Sequence, residues 1–299
     1  MIVLRDLTRR YGSRRGIDGV TIDAGPGELV GFLGPNGAGK TTTIRVLLGF
    51  LRPTSGKATI FGLDCWRESR RIRQDTGYLP GDLRLYSWMT ARSGLALTAS
   101  VRGARNMPVT DLLARLDLDG DVPVRKMSRG TRQKLGLVLA LAHEPRLIVL
   151  DEPTSALDPL VRDELSAVLR ERAAAGAAIF FSSHTLADVE ALCDRVIVVR
   201  EGRIVADEAL HTLRARASRD VTIRFTNADA AARARPPAVV QVHERRNDVW
   251  RASLSGDPQH LLAFLHAIQP VDFTLGPPDL EGIFRTFYRD DSALRSADS

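Results

Sequence analysis

Gly34-Pro35-Asn36-Gly37-Ala38-Gly39-Lys40-Thr41 fits the pattern G-x-x-x-x-G-K-[ST]. Each residue type there meets a physical need. Glycine accepts φ > 0 without steric penalty, so the backbone can curl and aim successive N–H groups at one anion. A helix opening at the end of such a loop adds the positive end of its dipole. Lys40 supplies a compact, mobile ammonium for outer phosphates, and the Thr41 hydroxyl can ligate Mg²⁺. The octapeptide reads as a phosphate-binding loop.

Its surroundings agree. Glu28–Leu33 (ELVGFL) is a short apolar run of strand type, and residues 41–50 place Ile44, Leu47 and Leu48 at helical i, i+3, i+4 spacing. Strand, glycine loop, helix is the setting such a loop requires. Of the 42 basic residues 38 are arginine, and the four lysines are Lys40, Lys57, Lys126 and Lys134. The loop nonetheless carries a lysine, because a small ammonium can reach past the backbone where a planar guanidinium does not fit.

A chain of 299 residues with 44% apolar content can form one large or two modest globular domains. No run of about 18 apolar residues occurs, so no membrane-spanning helix is expected. The N-terminus lacks a basic stretch followed by an apolar core, so no secretory signal is expected either. Cys65 and Cys193 lie far apart without metal-type spacing and read as small buried residues in a reducing compartment. The net charge of +6 arises in the first 214 residues, since residues 215–299 hold eleven arginines and eleven acids. The densest basic cluster, Arg67, Arg70, Arg71 and Arg73, has no interleaved aromatics, and no nucleic-acid partner is expected.

Strands are predicted at 2–5, 20–24, 28–33 and 57–61, and a mainly helical stretch at 90–143. Strands at 146–150, 177–182, 195–199 and 203–206 then alternate with helices at 159–174 and 186–193. Such alternation gives a largely parallel sheet covered by helices. The continuous apolar runs LIVL (147–150), AAIFF (177–181) and VIVV (196–199) fit strands buried on both faces. A boundary is expected near Ala215–Arg219. Beyond it, strands at 221–226, 239–243, 248–254 and 271–275, with helices at 258–268 and 279–288, approach a βαββαβ pattern. Asp290–Ser299 reads as a frayed end.

The strand at 147–150 ends in two carboxylates, Asp151 and Glu152. Ligands of open α/β sheets bind at the carboxyl ends of the strands. There Asp151 can hold Mg²⁺ directly or through water, and Glu152 can orient and polarise a water for attack on a γ-phosphate. His184 closes the next apolar strand, FFSSH, and is a candidate partner of the γ-phosphate and the attacking water. His143, His211, His243, His260 and His266 have no such setting and read as structural or solvent-facing.

With these motifs the chain resembles the ATP-binding subunit of an ABC transporter over roughly residues 1–214, in the branch whose ATPase is a separate polypeptide serving exporter-type permeases. The carriers are GPNGAGKTT at 34–42, LIVLDEPTSALDP at 147–159, and SSH at 182–184. The resemblance implies an α/β fold of the P-loop NTPase class, ABC ATPase type. It comprises a mostly parallel sheet with helices, antiparallel N-terminal strands and a helical subdomain at about 82–143. An accessory α+β domain at 215–299 follows.

It also implies ATP and Mg²⁺ as cofactors, with Gly34, Pro35, Asn36, Gly37, Ala38, Gly39, Lys40, Thr41 and Thr42 around the phosphates. Lys40, Glu152 and His184 are implied as catalytic, and Thr41 and Asp151 as the metal side. Tyr11, 29 residues before Lys40, matches the aromatic that stacks on adenine. Met127-Ser128-Arg129-Gly130-Thr131 stands where the family has LSGGQ; Ser128 and Gly130 match and Arg129 and Thr131 do not. That segment meets the γ-phosphate held by the opposite subunit, so a homodimer with ATP at its interface is implied, and Asp158 belongs to the loop joining the two sites. The family's metal-sensing glutamine is replaced by Gly81, followed by Asp82. Either Asp82 substitutes as a metal ligand or the contact is lost.

The function so implied is ATP hydrolysis powering an integral-membrane permease on a separate chain, with efflux of a drug or other hydrophobic or lipid-like compound. The subunit would be cytoplasmic and peripheral, held on the membrane by the permease. Leu83, Leu85, Tyr86, Trp88 and Met89 are candidates for the face that meets it. The alternative is a soluble ABC ATPase acting on ribosomes or DNA. Ribosome-acting members usually carry two ATPase units, and DNA-repair members a long coiled coil; here one motif set occurs and only 86 residues separate Thr41 from Ser128. A GTPase-type switch needs N-K-x-D, which is absent, and Lys40, Asp151, Glu152 and His184 argue against a non-hydrolysing binder.

Overall fold

The computed structural model describes residues 1–12, 14–102 and 110–289; Asp290–Ser299, read above as a frayed end, lies outside them. The chain divides into two compact units, Met1–Asp207 and Glu208–Ser299.

The first unit opens with β1 (Ile2–Tyr11), β2 (Arg14–Ala24), β3 (Leu29–Leu33), α1 (Lys40–Leu47), β4 (Ser55–Ile60) and β5 (Leu63–Asp64). Then come α2 (Ser69–Gln74), β6 (Thr76–Leu79), α3 (Ala91–Arg102), α4 (Thr110–Arg115), a 3₁₀ turn at Val124–Lys126 and α5 (Arg129–Leu141). It finishes with β7 (Leu147–Asp151), α6 (Pro159–Ala174), β8 (Ala178–Ser183), α7 (Leu186–Leu192), β9 (Arg195–Arg200) and β10 (Arg203–Ala209). Strands β2-β1-β4-β5 form an antiparallel sheet, and β10-β9-β3-β8-β7-β6 a second sheet whose β9-β3-β8-β7-β6 core is parallel. Every residue of β3, β7 and β8 is buried, as expected of parallel strands covered on both faces. β10 returns beside β9 through Glu201-Gly202, both at φ > 0, the requirement of a tight primed hairpin turn.

The first two strands run further than their apolar stretches, through Arg5, Arg9 and Arg10 on β1. Pairing with two neighbours holds these polar residues extended, where a period-two apolar pattern is broken. β6 is only four residues long and is made a strand by its ladder with β7. Phe32 and Phe180 are fully buried, with ring centroids 5.1 Å apart. Truncating either to alanine is expected to cost about 3–5 kcal/mol.

The second unit comprises α8 (Leu210–Arg216), β11 (Arg219–Arg224), α9 (Ala228–Arg233), β12 (Val240–Arg246), β13 (Val249–Leu254), α10 (Pro258–Ile268), β14 (Asp272–Pro278) and α11 (Leu280–Arg289). The strand order β12-β13-β11-β14, antiparallel throughout, is that of two interleaved split βαβ units. Trp250, fully buried, centres its core between Phe225 and Phe264. The unit starts earlier than residue 215 because α8 packs with α11, and the Asp279 N–H donates to the Ser218 carbonyl.

Both cysteines are buried and free; burial pushes the Cys65 thiol up to about 12, and the Cys193 thiol up as well. His143 is not solvent-facing. Both ring nitrogens are buried, and burial, reinforced by the Arg102 charge, lowers its pKa to about 4 against the backbone of Thr76 and the charge of Asp75. The unfolded chain titrates near the ordinary 6.5, so unfolding takes up a proton as pH falls from about 6.5 to about 4, and stability drops across that window. A His143→Leu variant should show a shallower fall of Tm between those limits; an unchanged slope would mean that His143 protonates freely in the fold.

Candidate functional site

The register of the parallel strands builds the site. Leu33 pairs with Ser183, and Asp151 with Ser182. The first residues beyond β3, β7 and β8 are Gly34, Glu152 and His184, so the loop, the acidic pair and the histidine emerge at one level. Gly39, at φ 108, has Ile17 Cγ2 and the Gly16 carbonyl within 2.8 and 3.0 Å of where a Cβ would stand. Only glycine fits there. Lys40 then opens α1.

Above the strand ends lies a cavity of about 970 Å³ lined by Tyr11, Gly16, the loop, Thr42, Arg45, Tyr78, Gly81, Asp82, Arg84, Asp151 and Glu152. The Lys40 side chain, 6% exposed, donates to the Gly34 and Pro35 carbonyls at 2.5 and 3.3 Å and lies 3.2 Å from Glu152 Oε1. Glu152 Oε2 is 2.7 Å from His184 Nδ1. Glu152 itself sits at φ 54, a conformation a non-glycine residue keeps only when its surroundings impose it. Its N–H is shared between the Ser182 carbonyl and hydroxyl at 3.1 and 3.2 Å.

Asp151, 1% exposed, accepts from Ser182 Oγ at 2.5 Å and from Thr41 Oγ1 at 2.9 Å. Burial, then the Asp151 charge, pushes the Tyr78 phenol up to about 12, so it stays a neutral donor on the cavity wall. A hydroxyl and a carboxylate converging from Thr41 and Asp151 are hard oxygen donors suited to Mg²⁺. Glu152 Oε1 is buried without a hydrogen bond. Glycine loop, buried ammonium and the hard oxygens of Thr41 and Asp151 together fit a magnesium nucleoside triphosphate.

A sequence profile described as "ABC transporter" matches residues 17–155. The bacitracin transport ATP-binding protein BcrA of Bacillus licheniformis is 37% identical over 214 residues, 69% of each chain. The Nod factor export ATP-binding protein I of Burkholderia orbicola is 37% identical over 219 residues, covering 71% of this chain and 72% of its own. A solved ATP-binding subunit of an ABC transporter superposes with a TM-score of 0.67 at 31% identity, over 72% of this chain and 92% of its own.

The chain belongs to the ABC transporter family. It is an ATP-binding subunit of that family, an ATPase that works with ATP and Mg²⁺.

Within this ABC ATPase the motif residues fall into two groups. Tyr11, Pro35, Asn36, Gly37, Gly39, Lys40, Thr41, Thr42, Asp82, Asp151 and Glu152 line the cavity. Gly34 and Ala38 shape the loop from beneath, Ala38 being 3% exposed. Ser128, Gly130 and Asp158 do not line it. Ser128 Oγ instead caps α5 by accepting from the Thr131 N–H at 3.0 Å, and Asp158 caps α6 by accepting from the Val161 N–H at 3.0 Å. Arg129 donates to Ser155 Oγ at 3.0 Å, which ties the Ser128–Thr131 segment to the loop after β7. The Asp82 carboxylate, 73% exposed, accepts two N–H bonds from Arg84.

Three further contributors were not singled out as site residues from the sequence. Ser182 anchors both the Asp151 carboxylate and the Glu152 backbone. Gln133, 9% exposed, donates to the Pro153 carbonyl at 3.0 Å. Asp188 gathers the hydroxyls of Thr154, Ser183 and Thr185. Ser182 lies within the SSH motif; Gln133 and Asp188 become visible through contacts across 20 and 34 residues of sequence. Ser182→Ala leaves a buried carboxylate oxygen unpaired. Unfolding free energy should fall by about 1–3 kcal/mol, measured by chemical denaturation, and ATPase turnover at least tenfold. Full turnover would show that Asp151 needs no such anchor.

Proposed function

We propose that this ATPase powers a separate integral-membrane permease as an exporter subunit, working as a homodimer that closes around ATP. One observation carries the dimer: Ser128 and Gly130, the part of the family pattern that meets a γ-phosphate, stand outside the cavity that holds Lys40, Asp151 and Glu152. A second copy supplies them.

Lys40 and the loop amides would hold the phosphates, Thr41 and Asp151 would hold the metal, and the Tyr11 ring would take the base. Mg²⁺, when bound, neutralises phosphate charge. Glu152 orients the attacking water and accepts its proton, with His184 steering the carboxylate through their 2.7 Å contact. Lys40 is aligned to stabilise charge on the outer phosphates. Asp82 lines the same cavity as Thr41 and Asp151, which supports it as the stand-in for the missing glutamine once it releases Arg84. Ser128 and Gly130 act on the partner's ATP, and Asp158 belongs to the loop between the two sites. ATP thus favours the closed pair, and hydrolysis removes that preference.

Export is supported by the names of the relatives, one a bacitracin transport protein and one a Nod factor export protein; a drug or another hydrophobic or lipid-like compound is the substrate class. Among the described residues no helix is long and apolar enough to cross a membrane. The family relationship supports a peripheral place on the cytoplasmic face, held there by the permease. Tyr86 and Trp88, 65% and 59% exposed and stacked at 5.7 Å, support a docking face for that permease. Met89, expected beside them, belongs to the core at 5% exposure, and Leu83 and Leu85 are half-buried.

Glu152→Gln should retain ATP binding, lose turnover at least a hundredfold, and run as a dimer with ATP in size-exclusion chromatography. Normal turnover would remove Glu152 from its role, and a monomer with bound ATP would remove the shared site. Replacing Tyr86 and Trp88 together by alanine should abolish co-purification with the permease while the isolated subunit hydrolyses ATP normally. Undiminished co-purification would place the docking face elsewhere.

A further inference from the structure

We propose that Arg9 is a positioning residue for the nucleobase, acting through the Tyr11 ring; this rests on Tyr11 as the base-stacking residue. Arg9 and Tyr11 stand two apart on β1, on one face of the strand. The Arg9 guanidinium lies over the Tyr11 ring, 5.1 Å from its centroid, within the range of a cation–π contact. Tyr11 lines the nucleotide cavity and Arg9 does not; in the proposed arrangement the cation backs one face of the ring and a base takes the other.

The arrangement is held from both ends. Arg9 Nη1 donates to the Arg52 carbonyl at 2.9 Å, across 43 residues of sequence, and its Nε is buried without a partner. Among the described residues no carboxylate pairs with it. The ring is seated by a bulge: Arg9 pairs with Ile17 and Arg10 with Arg15, so Gly16 is the extra residue of β2. A Cβ on Gly16 would lie 2.8 Å from Tyr11 Cε2, so the ring rests against bare backbone. The Gly16 carbonyl in turn abuts Gly39 of the phosphate loop. Base seat and phosphate loop therefore share a wall. A cation backing the ring does two things: it restricts the exposed tyrosine to one pose, and it adds a planar charged layer beneath a stack of aromatic ring and base.

Tyr11 Oη also lies 3.5 Å from Thr42 Oγ1, which ties the hydroxyl end of the ring to the start of α1. Arg9 and the Gly16 backbone restrain its tilt.

The test is calorimetric titration of the full chain with ATP and with inorganic tripolyphosphate, both in EDTA so that no turnover occurs. Arg9→Met should raise the ATP Kd about two- to fivefold and leave the tripolyphosphate Kd unchanged, because only ATP has a base. Arg9→Lys, which keeps a cation, should recover most of the loss. The inference falls if Arg9→Met leaves ATP binding unchanged, or weakens both ligands by the same factor, as a merely structural residue would. Tyr11→Leu separates it from the reading beneath it. If Tyr11→Leu weakens ATP alone and Arg9→Met does not, only the role of Arg9 is overturned. If Tyr11→Leu is silent, the base binds elsewhere and both fall.

Discussion

The Ser182 hydroxyl donates to Asp151, and Asp151 accepts from Thr41; through these two bonds three chain segments more than a hundred residues apart at their extremes become one object. The bonds form only because β8 lies between β3 and β7 in the sheet, with strand ends level to the residue. A slip of one residue would turn every side chain of a strand to the opposite face. The hydroxyl, the carboxylate and the loop would then no longer meet. All else at the site inherits its position from this alignment.

Charge is arranged around it by burial. Lys40 is nearly inaccessible; it donates to two loop carbonyls and is paired in charge by Glu152. Withdrawing an ammonium from water is costly unless it is paired, so its position is tied to that of the carboxylate. The carboxylate in turn is set by a left-handed backbone pinned to Ser182 and by His184. Few of these atoms can move alone, which is how a site keeps preorganised electrostatics. The exposed groups, Asp82 with Arg84 and Ser128 with Thr131, sit at the periphery, where partners can be exchanged.

The second unit obeys a different logic. Its antiparallel sheet and two crossing helices enclose a core centred on Trp250, with Phe225 and Phe264 beside it and the Arg245 guanidinium 4.4 Å over the indole. It draws on none of the nucleotide-site residues, and its connectivity follows from alternating apolar residues on short strands. The βαββαβ order could be read in advance; the strand order could not, because antiparallel neighbours of similar composition pair equally well on local grounds.

Local chemistry was legible in the sequence alone. The glycine loop, its lysine, the acidic pair after an apolar strand and the histidine after the next each carry their signal within a few residues, because backbone conformation, strand burial and phosphate binding impose short-range demands on residue type. The parallel sheet was legible for the same reason: strands buried on both faces must be apolar throughout. Tertiary structure alone decided the rest. Gln133, Asp188 and Arg9 are ordinary residues until folding brings a hydroxyl, a carbonyl or an aromatic ring to them, and the role of Ser182 within its motif appears only when it meets Asp151. Met89, apolar like its exposed neighbours Tyr86 and Trp88, is core because it faces inward. Hydrogen bonding and packing act over ångströms in space, and sequence separation puts no limit on which residues come that close.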